Sequence, residues 1–282
     1  MGIGRAATAL LLEEAASRPF VGKIATLGRQ TVGATPQEIS AQFKRFDISP
    51  CAPIGNARLD DQALFRMMGF ATVESFNYSD YEGATHVVDF NNDNLPRSLV
   101  GQFDVVLDSG TIEHVFHVPN ALKNTLSLAK EGGRVIFLSP SSNHVDHGFY
   151  MYSPTLFVDY LLANGLRIET CYFIRCSSDG RRPWQAYRYD RESWRQFSIG
   201  VLDNRPYMVF VVATRVPGSS IDKIPQQALY RERWNANIAM VSKRHERLKY
   251  ILRHVPGALA LATTIWTWVH SGRRSLEFVG KY

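Results

Sequence analysis

The stretch of residues 103–140, FDVVLDSGTIEHVFHVPNALKNTLSLAKEGGRVIFLSP, constrains the fold more than any other part of the chain. It reads as an apolar strand, a polar loop, a helix with Leu122, Leu126 and Ala129 along one side, a Gly132-Gly133 turn and a second apolar strand. Apolar runs such as 103–107, broken only by Asp104, suit strands buried on both faces of a sheet, so helices must cover that sheet from either side. The polar loop, Asp108-Ser109-Gly110-Thr111-Ile112-Glu113-His114, follows the first strand. In an open α/β sheet, ligands bind at the carboxyl ends of the strands.

The rest of the chain repeats this alternation. Residues 21–27 form an apolar run that turns at Gly28. Thr35, Pro36 and Glu38 together signal a helix start, with Thr as N-cap, Pro at the first helical position and Glu reaching back to the cap. Residues 60–68 read as a helix closed by Gly69, 72–76 and 85–90 as strands, and 156–163 as a helix opened by Ser153-Pro154-Thr155. Residues 166–174 and 207–215 read as two late strands, with a polar and aromatic loop-and-helix insertion between them. The predicted fold is a doubly wound, mostly parallel α/β sheet over residues 1–216. Residues 217–282 form a basic and apolar helical extension.

Composition excludes several alternatives. Of 282 residues, 45% are hydrophobic and 21% charged, which is ordinary for a soluble globular chain and sets disorder aside. The net charge of +6 comes without zinc-finger spacing, an RNP-like aromatic motif or a basic heptad, so we expect no nucleic-acid partner. Three cysteines, Cys51, Cys171 and Cys176, without a C-x-x-C pair, suggest reduced thiols and a cytoplasmic location. The apolar run 6–12 is short and runs into Glu13-Glu14, as in an amphipathic helix rather than a signal peptide.

This alternation, with FDVVLDSGTIEHV and EGGRVIFLSP at its centre, resembles class I S-adenosylmethionine-dependent methyltransferases over residues 21–215. The resemblance implies a seven-stranded Rossmann-like sheet with S-adenosylmethionine across the carboxyl ends of the first strands and an acceptor beyond the fourth and fifth. SDYEGATHVVDFN further resembles a bacterial subgroup associated with surface-polysaccharide biosynthesis. The implied cofactor-binding residues are Gly28 and Arg29 after the first strand, Asn77 and Asp80 after the second, and Asp89 after the third. Asp108 and Glu113 lie beside the methionine portion. The chain departs from the family pattern at the first turn, where only Gly28 and Gly33 stand in place of G-x-G-x-G, and at Asn77, where an acidic residue is usual.

Two histidine pairs, His114 with His117 and His144 with His147, flank one cleft if strands 103–107 and 134–138 are neighbours. Methyl transfer to a hydroxyl needs a proton acceptor, and imidazole titrates in the useful range. His114 and His147 are therefore the first candidates for a general base, with His144 and Asp146 behind them. H-x-x-H on a loop fixes no ligand geometry, and no cysteine joins the set, so we expect no metal. Tyr150 and Tyr152 are candidate acceptor-pocket residues.

Trp184, Tyr187, Arg188, Tyr189, Arg191, Trp194 and Arg195 combine ring faces with guanidinium groups, as in a lid over a sugar phosphate or in a half-buried helix. Basic residues 243–253 precede apolar 257–269 with Trp266 and Trp268, which fits a peripheral contact with an anionic inner membrane or a helix docked on the domain. The function read from all this is O-methylation of a sugar or glycan intermediate. The alternative is a non-catalytic methyltransferase-like domain serving as an assembly component in polysaccharide biosynthesis. The absence of G-x-G-x-x-G and of G-x-S-x-G disfavours a dinucleotide oxidoreductase and a serine hydrolase.

Overall fold

A computed structural model describes residues 2–177, 182–190, 202–228, 230 and 277–282. Each apolar run becomes a strand of one twisted sheet, and each capped periodic segment becomes a helix. In chain order the elements are β1 (Gly2–Ile3), α1 (Arg5–Ser17), β2 (Lys23–Leu27), β3 (Thr31–Val32), α2 (Pro36–Arg45), α3 (Asp61–Met67), β4 (Thr72–Asn77), β5 (His86–Val87) and β6 (Phe103–Asp108). They continue with α4 (Val118–Leu128), β7 (Ala129–Ser142), α5 (Pro154–Ala163), β8 (Arg167–Arg175), β9 (Gln185–Arg188), β10 (Tyr207–Thr214) and β11 (Phe278–Lys281).

The expected helix signals act as read. Thr35 and Glu38 close a reciprocal capping box on α2, and the Asp60 carboxylate caps α3 by accepting from the Ala63 amide at 2.7 Å. Ser153 caps α5 through Thr155.

The large sheet has the order β11-β9-β8-β10-β7-β6-β2-β4-β5. Strands β5, β4, β2, β6 and β7 pair in parallel. β10 lies antiparallel between β7 and β8. The expected mostly parallel seven-stranded sheet is therefore present as β5-β4-β2-β6-β7-β10-β8, and β9 and β11 extend its edge.

Strand alternation divides the core in two. Met208, Phe210 and Val212 of β10 join α1, α2 and α3 on one face, together with Ile24, Val105 and Leu107. Val209, Val211 and Ala213 join α4 and α5 on the other, with Leu27, Val106 and Phe137. Helices on both faces explain why the central strands carry so few polar side chains.

The structure corrects three local readings. α4 ends at Leu128 and β7 begins at once at Ala129, because Ala129 pairs with Phe103. Gly132-Gly133 then forms an irregularity inside the strand region: a Cβ on Gly133 would lie 2.8 Å from the Lys130 carbonyl oxygen and 3.0 Å from that of Phe103. The third parallel strand is confined to His86–Val87. The aromatic and arginine segment is not a helix at 185–188 but the strand β9, which pairs with β8 and with β11 from the end of the chain. Arg191, Trp194 and Arg195 lie outside the described residues, as do segments 243–253 and 257–269. Among the described residues no helix is long and apolar enough to cross a membrane.

Candidate active site

The chain proceeds from β2 to β4 on one side and reaches β6 on the other, so the sheet reverses its winding between β2 and β6. At such a reversal the connecting loops separate and leave a crevice. Gly28 follows β2 with φ of 71°, a left-handed conformation, and donates its amide to the Phe76 carbonyl at 2.6 Å. A Cβ there would lie 3.0 Å from Thr111 Oγ1. Thr111 in turn donates to the Leu27 carbonyl at 2.7 Å, which ties the loop after β6 to the end of β2.

Asp108 ends β6 and is fully buried. Its Oδ1 accepts from the amides of Thr111 (3.0 Å) and Ile112 (3.2 Å), and Oδ2 accepts from Ser139 Oγ of β7 (3.2 Å). These bonds bend the chain into a single 3₁₀ turn, Ile112–His114, which carries Glu113. Burial, followed by the charge of Glu113, holds the Asp108 carboxyl well above the usual carboxylate range, against the opposing pull of its hydrogen bonds.

Glu113 is 0% exposed, yet neither carboxylate oxygen accepts a hydrogen bond among the described residues. Burial alone raises its pKa. Its Oε1 lies 3.3 Å from His147 Nε2 and 4.0 Å from His114 Nε2. The rings of His114 and His147 are 5.3 Å apart, and those of His144 and His147 are 5.8 Å apart. Burial lowers the pKa of all three histidines, and His147 lowers those of His114 and His144 further, so their neutral forms are favoured.

The loop that carries His144 and His147 is built to make this approach. Asn143 and Asp146 have φ of 60° and 64°, and Asn143 Nδ2 donates to the carbonyls of Asp203 and Arg205. Such left-handed non-glycine residues are uncommon and are held by their surroundings. Gly148 passes so close to Glu113 that a Cβ would lie 2.9 Å from its carbonyl oxygen and 3.0 Å from its Cγ. The Phe149 amide donates to that same carbonyl at 2.8 Å.

β6 and β7 are parallel neighbours, and three of the four histidines from the two pairs converge. His117 is instead exposed at the start of α4, against Phe116. Asp146 is exposed and is not a member of the compact group formed by Glu113, His114 and His147. Tyr152 is buried and donates to the Ile112 carbonyl, so it packs the loop rather than lining a pocket. Tyr150 donates to the Phe116 carbonyl. Phe116 and Phe149 remain largely exposed, edge to face at 5.7 Å.

On the other side of the crevice, Arg29 grips Asp61 through Nε and Nη2, at 2.9 and 2.7 Å, and its Nη1 points to the Glu82 and Gly83 carbonyls. Asp61, 1% exposed, also accepts from the Gln30 amide. Asn77 ends β4 beside Glu82, with Nδ2 3.4 Å from Glu82 Oε2. Asp80 is exposed on the following turn. Asp89 lies beyond β5, where its Oδ1 accepts from the backbone and side-chain nitrogens of Asn91. Sequence reasoning missed Asp61, Glu82, Thr111 and Gly148. Their roles arise from contacts between separate loops; Thr111, two residues before Glu113, and Glu82, within SDYEGATHVVDFN, stood inside recognised motifs, whereas Asp61 and Gly148 did not. Trp184 and Tyr187 lie beside and on β9, at the far edge of the sheet beyond β8, β10 and β7.

No family model and no curated protein sequence matches the chain. Solved structures with a similar fold include geranyl diphosphate methyltransferase in complex with GPP and sinefungin. It has a TM-score of 0.40 and 10% identity, covering 74% of this chain and 76% of that one. Another is the Burkholderia thailandensis 1,6-didemethyltoxoflavin-N1-methyltransferase with bound S-adenosylhomocysteine, with a TM-score of 0.36, 11% identity and coverage of 75% and 78%. The YcgJ protein of Bacillus subtilis gives 0.40, 11%, 75% and 99%. These likenesses are remote, and the fold assignment stands on the strand order given above.

Proposed function

We propose that this chain is an S-adenosylmethionine-dependent methyltransferase acting on a hydroxyl oxygen, with a sugar or glycan as acceptor. The observation that carries this reading is the reversal between β2 and β6: Gly28 follows β2, Asp108 ends β6, and Glu113 and His114 of the next loop meet His147. The residues fit such a cofactor: Gly28 lets the backbone come close, and Ser109 Oγ is buried with no hydrogen-bond partner among the described residues. S-adenosylmethionine supplies a sulfonium methyl, which passes to the acceptor oxygen as the carbon–sulfur bond breaks and its electron pair returns to sulfur.

The protein's contribution to such an in-line displacement is chiefly alignment. Asn77 and Glu82, at the end of β4, offer acceptors for ribose hydroxyls, and Asp89 faces the adenine end. Asp108 holds the turn that presents Glu113. Arg29, engaged by Asp61, frames the loop after β2 instead of waiting for a ligand carboxylate. Glu113, His114 and His147 meet the acceptor hydroxyl and lower the cost of losing its proton, with His144 alongside. The exposed rings of Phe116 and Phe149 give a sugar a face on which to stack.

Calorimetry on the full chain tests the reading. Titration with S-adenosylmethionine and with S-adenosylhomocysteine should each give saturable one-site binding in the micromolar range. The folded protein binding neither compound would overturn it.

A further inference from the structure

Glu113, His114 and His147 have the composition and spacing of a divalent-cation site. Their ligating atoms all lie within 4.8 Å of one another. Zinc bonds of about 2.0–2.2 Å in tetrahedral geometry place ligand atoms roughly 3.3–3.5 Å apart. The Glu113–His147 separation of 3.3 Å already matches, and the Glu113–His114 separation of 4.0 Å needs only a small rotation of an exposed ring.

The independent observation is the state of Glu113. A fully buried carboxyl with no hydrogen-bond partner among the described residues pays a large desolvation cost, which folded proteins offset by pairing or by metal coordination. Its immediate neighbours here are imidazoles whose Nε2 atoms face it. The Nε2 atoms of His147 and His144 are likewise buried without hydrogen-bond partners among the described residues. Glu113 Oε1 and His147 Nε2, 3.3 Å apart and both buried without hydrogen-bond partners among the described residues, have a common explanation in a cation between them.

We propose that Glu113, His114 and His147 bind one divalent first-row transition cation, and that its open coordination positions receive the acceptor's hydroxyl oxygen. Two imidazoles and one carboxylate favour zinc, cobalt, manganese or iron(II) over calcium and magnesium, which prefer all-oxygen shells. The site therefore differs from the metal-free reading given by the H-x-x-H spacing alone: the third ligand comes from another loop, through the close approach at Gly148. The role of the ion rests on the methyl-transfer reading, but its binding does not. When the acceptor oxygen displaces a water and bonds to the cation, its O–H is acidified, and the proton passes to bulk water at the open mouth.

The test uses the full chain, stripped with chelator and titrated with Co²⁺ and Zn²⁺. The expected result is one ion per chain, with visible cobalt absorption bands that Zn²⁺ abolishes. Glu113→Gln and His147→Ala should each weaken Co²⁺ binding by about tenfold or more while unfolding as cooperatively as the parent. His147 is part-exposed, so its variant remains informative if the Glu113 variant does not fold. The absence of Co²⁺ and Zn²⁺ binding by the parent, or unchanged affinity in the variants, would overturn the site. S-adenosylhomocysteine titrated into the same stripped protein reports the cofactor reading separately, so failure of either is distinguishable from failure of the other.

Discussion

Asp108 shows how one buried carboxyl serves the fold and leaves a measurable signature. Two backbone amides and Ser139 satisfy it, yet burial and the nearby Glu113 keep its proton bound more tightly in the folded protein than in the unfolded chain. Its contribution to stability is therefore full below the ordinary carboxylate pKa of about 4 and is lost as the pH rises through the elevated folded value. Asp108→Asn keeps an oxygen for both amides and removes the titration. Urea midpoints measured from about pH 5 to about pH 8, with chelator present, should fall less steeply for the variant than for the parent. Equal slopes would remove Asp108 as the cause. The placement of this residue was legible in the sequence, because an aspartate that ends an apolar run is a local signal. Arg29 was not: its partner Asp61 lies on another element, and a charged residue in a turn looks the same whether it meets a ligand or an internal carboxylate.

Two elements do more than build the sheet. Helix α1 is docked by Glu14, whose carboxylate accepts from Arg134 of β7 at 2.7 Å. Arg134 also donates to the Arg18 and Pro19 carbonyls and lies 4.5 Å over the Phe20 ring. The two side chains are 4% and 7% exposed, so Glu14→Ala leaves a buried guanidinium without its counter-ion and should destabilise the protein by about 3–5 kcal/mol in chemical denaturation. A loss under about 1 kcal/mol, the level of surface pairs, would show that the pair is solvated. The loop of residues 143–149 is the second such element. Gly148→Ala places a methyl group against the Glu113 carbonyl and Cγ, and should lift His147 away from Glu113 without replacing any of the proposed ligand side chains. Cobalt affinity should fall about tenfold or more, as it does when outer supports of a metal site are removed. Unchanged affinity would mean that the loop approach does not set the geometry. Capped helices were legible here because their signals sit within a few residues. β9 was not, since its partner β11 arrives from the end of the chain and its polar, aromatic pattern resembles an insertion.

At the scale of the whole molecule, strand order decides where chemistry can sit. Parallel β5-β4-β2-β6-β7 with helices on both faces reverses its winding at one place, between β2 and β6, where ligands of such sheets bind, and the recognised motif 108–114 falls beside it. The reversed β10 then carries the sheet on to β8, and the last residues return to its edge, where Trp184 and Tyr282 exchange backbone hydrogen bonds and the Tyr282 hydroxyl donates to Glu13 of α1. The alternation of strands and helices made this architecture readable from sequence, whereas the convergence of Glu113 with His147 depended on the register of β6 against β7. The most direct measurement is a crystal structure of the full chain soaked or co-crystallised with S-adenosylhomocysteine. The account predicts the ligand across the ends of β2 and β6, with its amino-acid part between Gly28 and Asp108 and its sulfur facing Glu113 and His147. A ligand bound elsewhere, or a crevice that stays closed around Gly28 and Thr111 at saturating concentration, would contradict it.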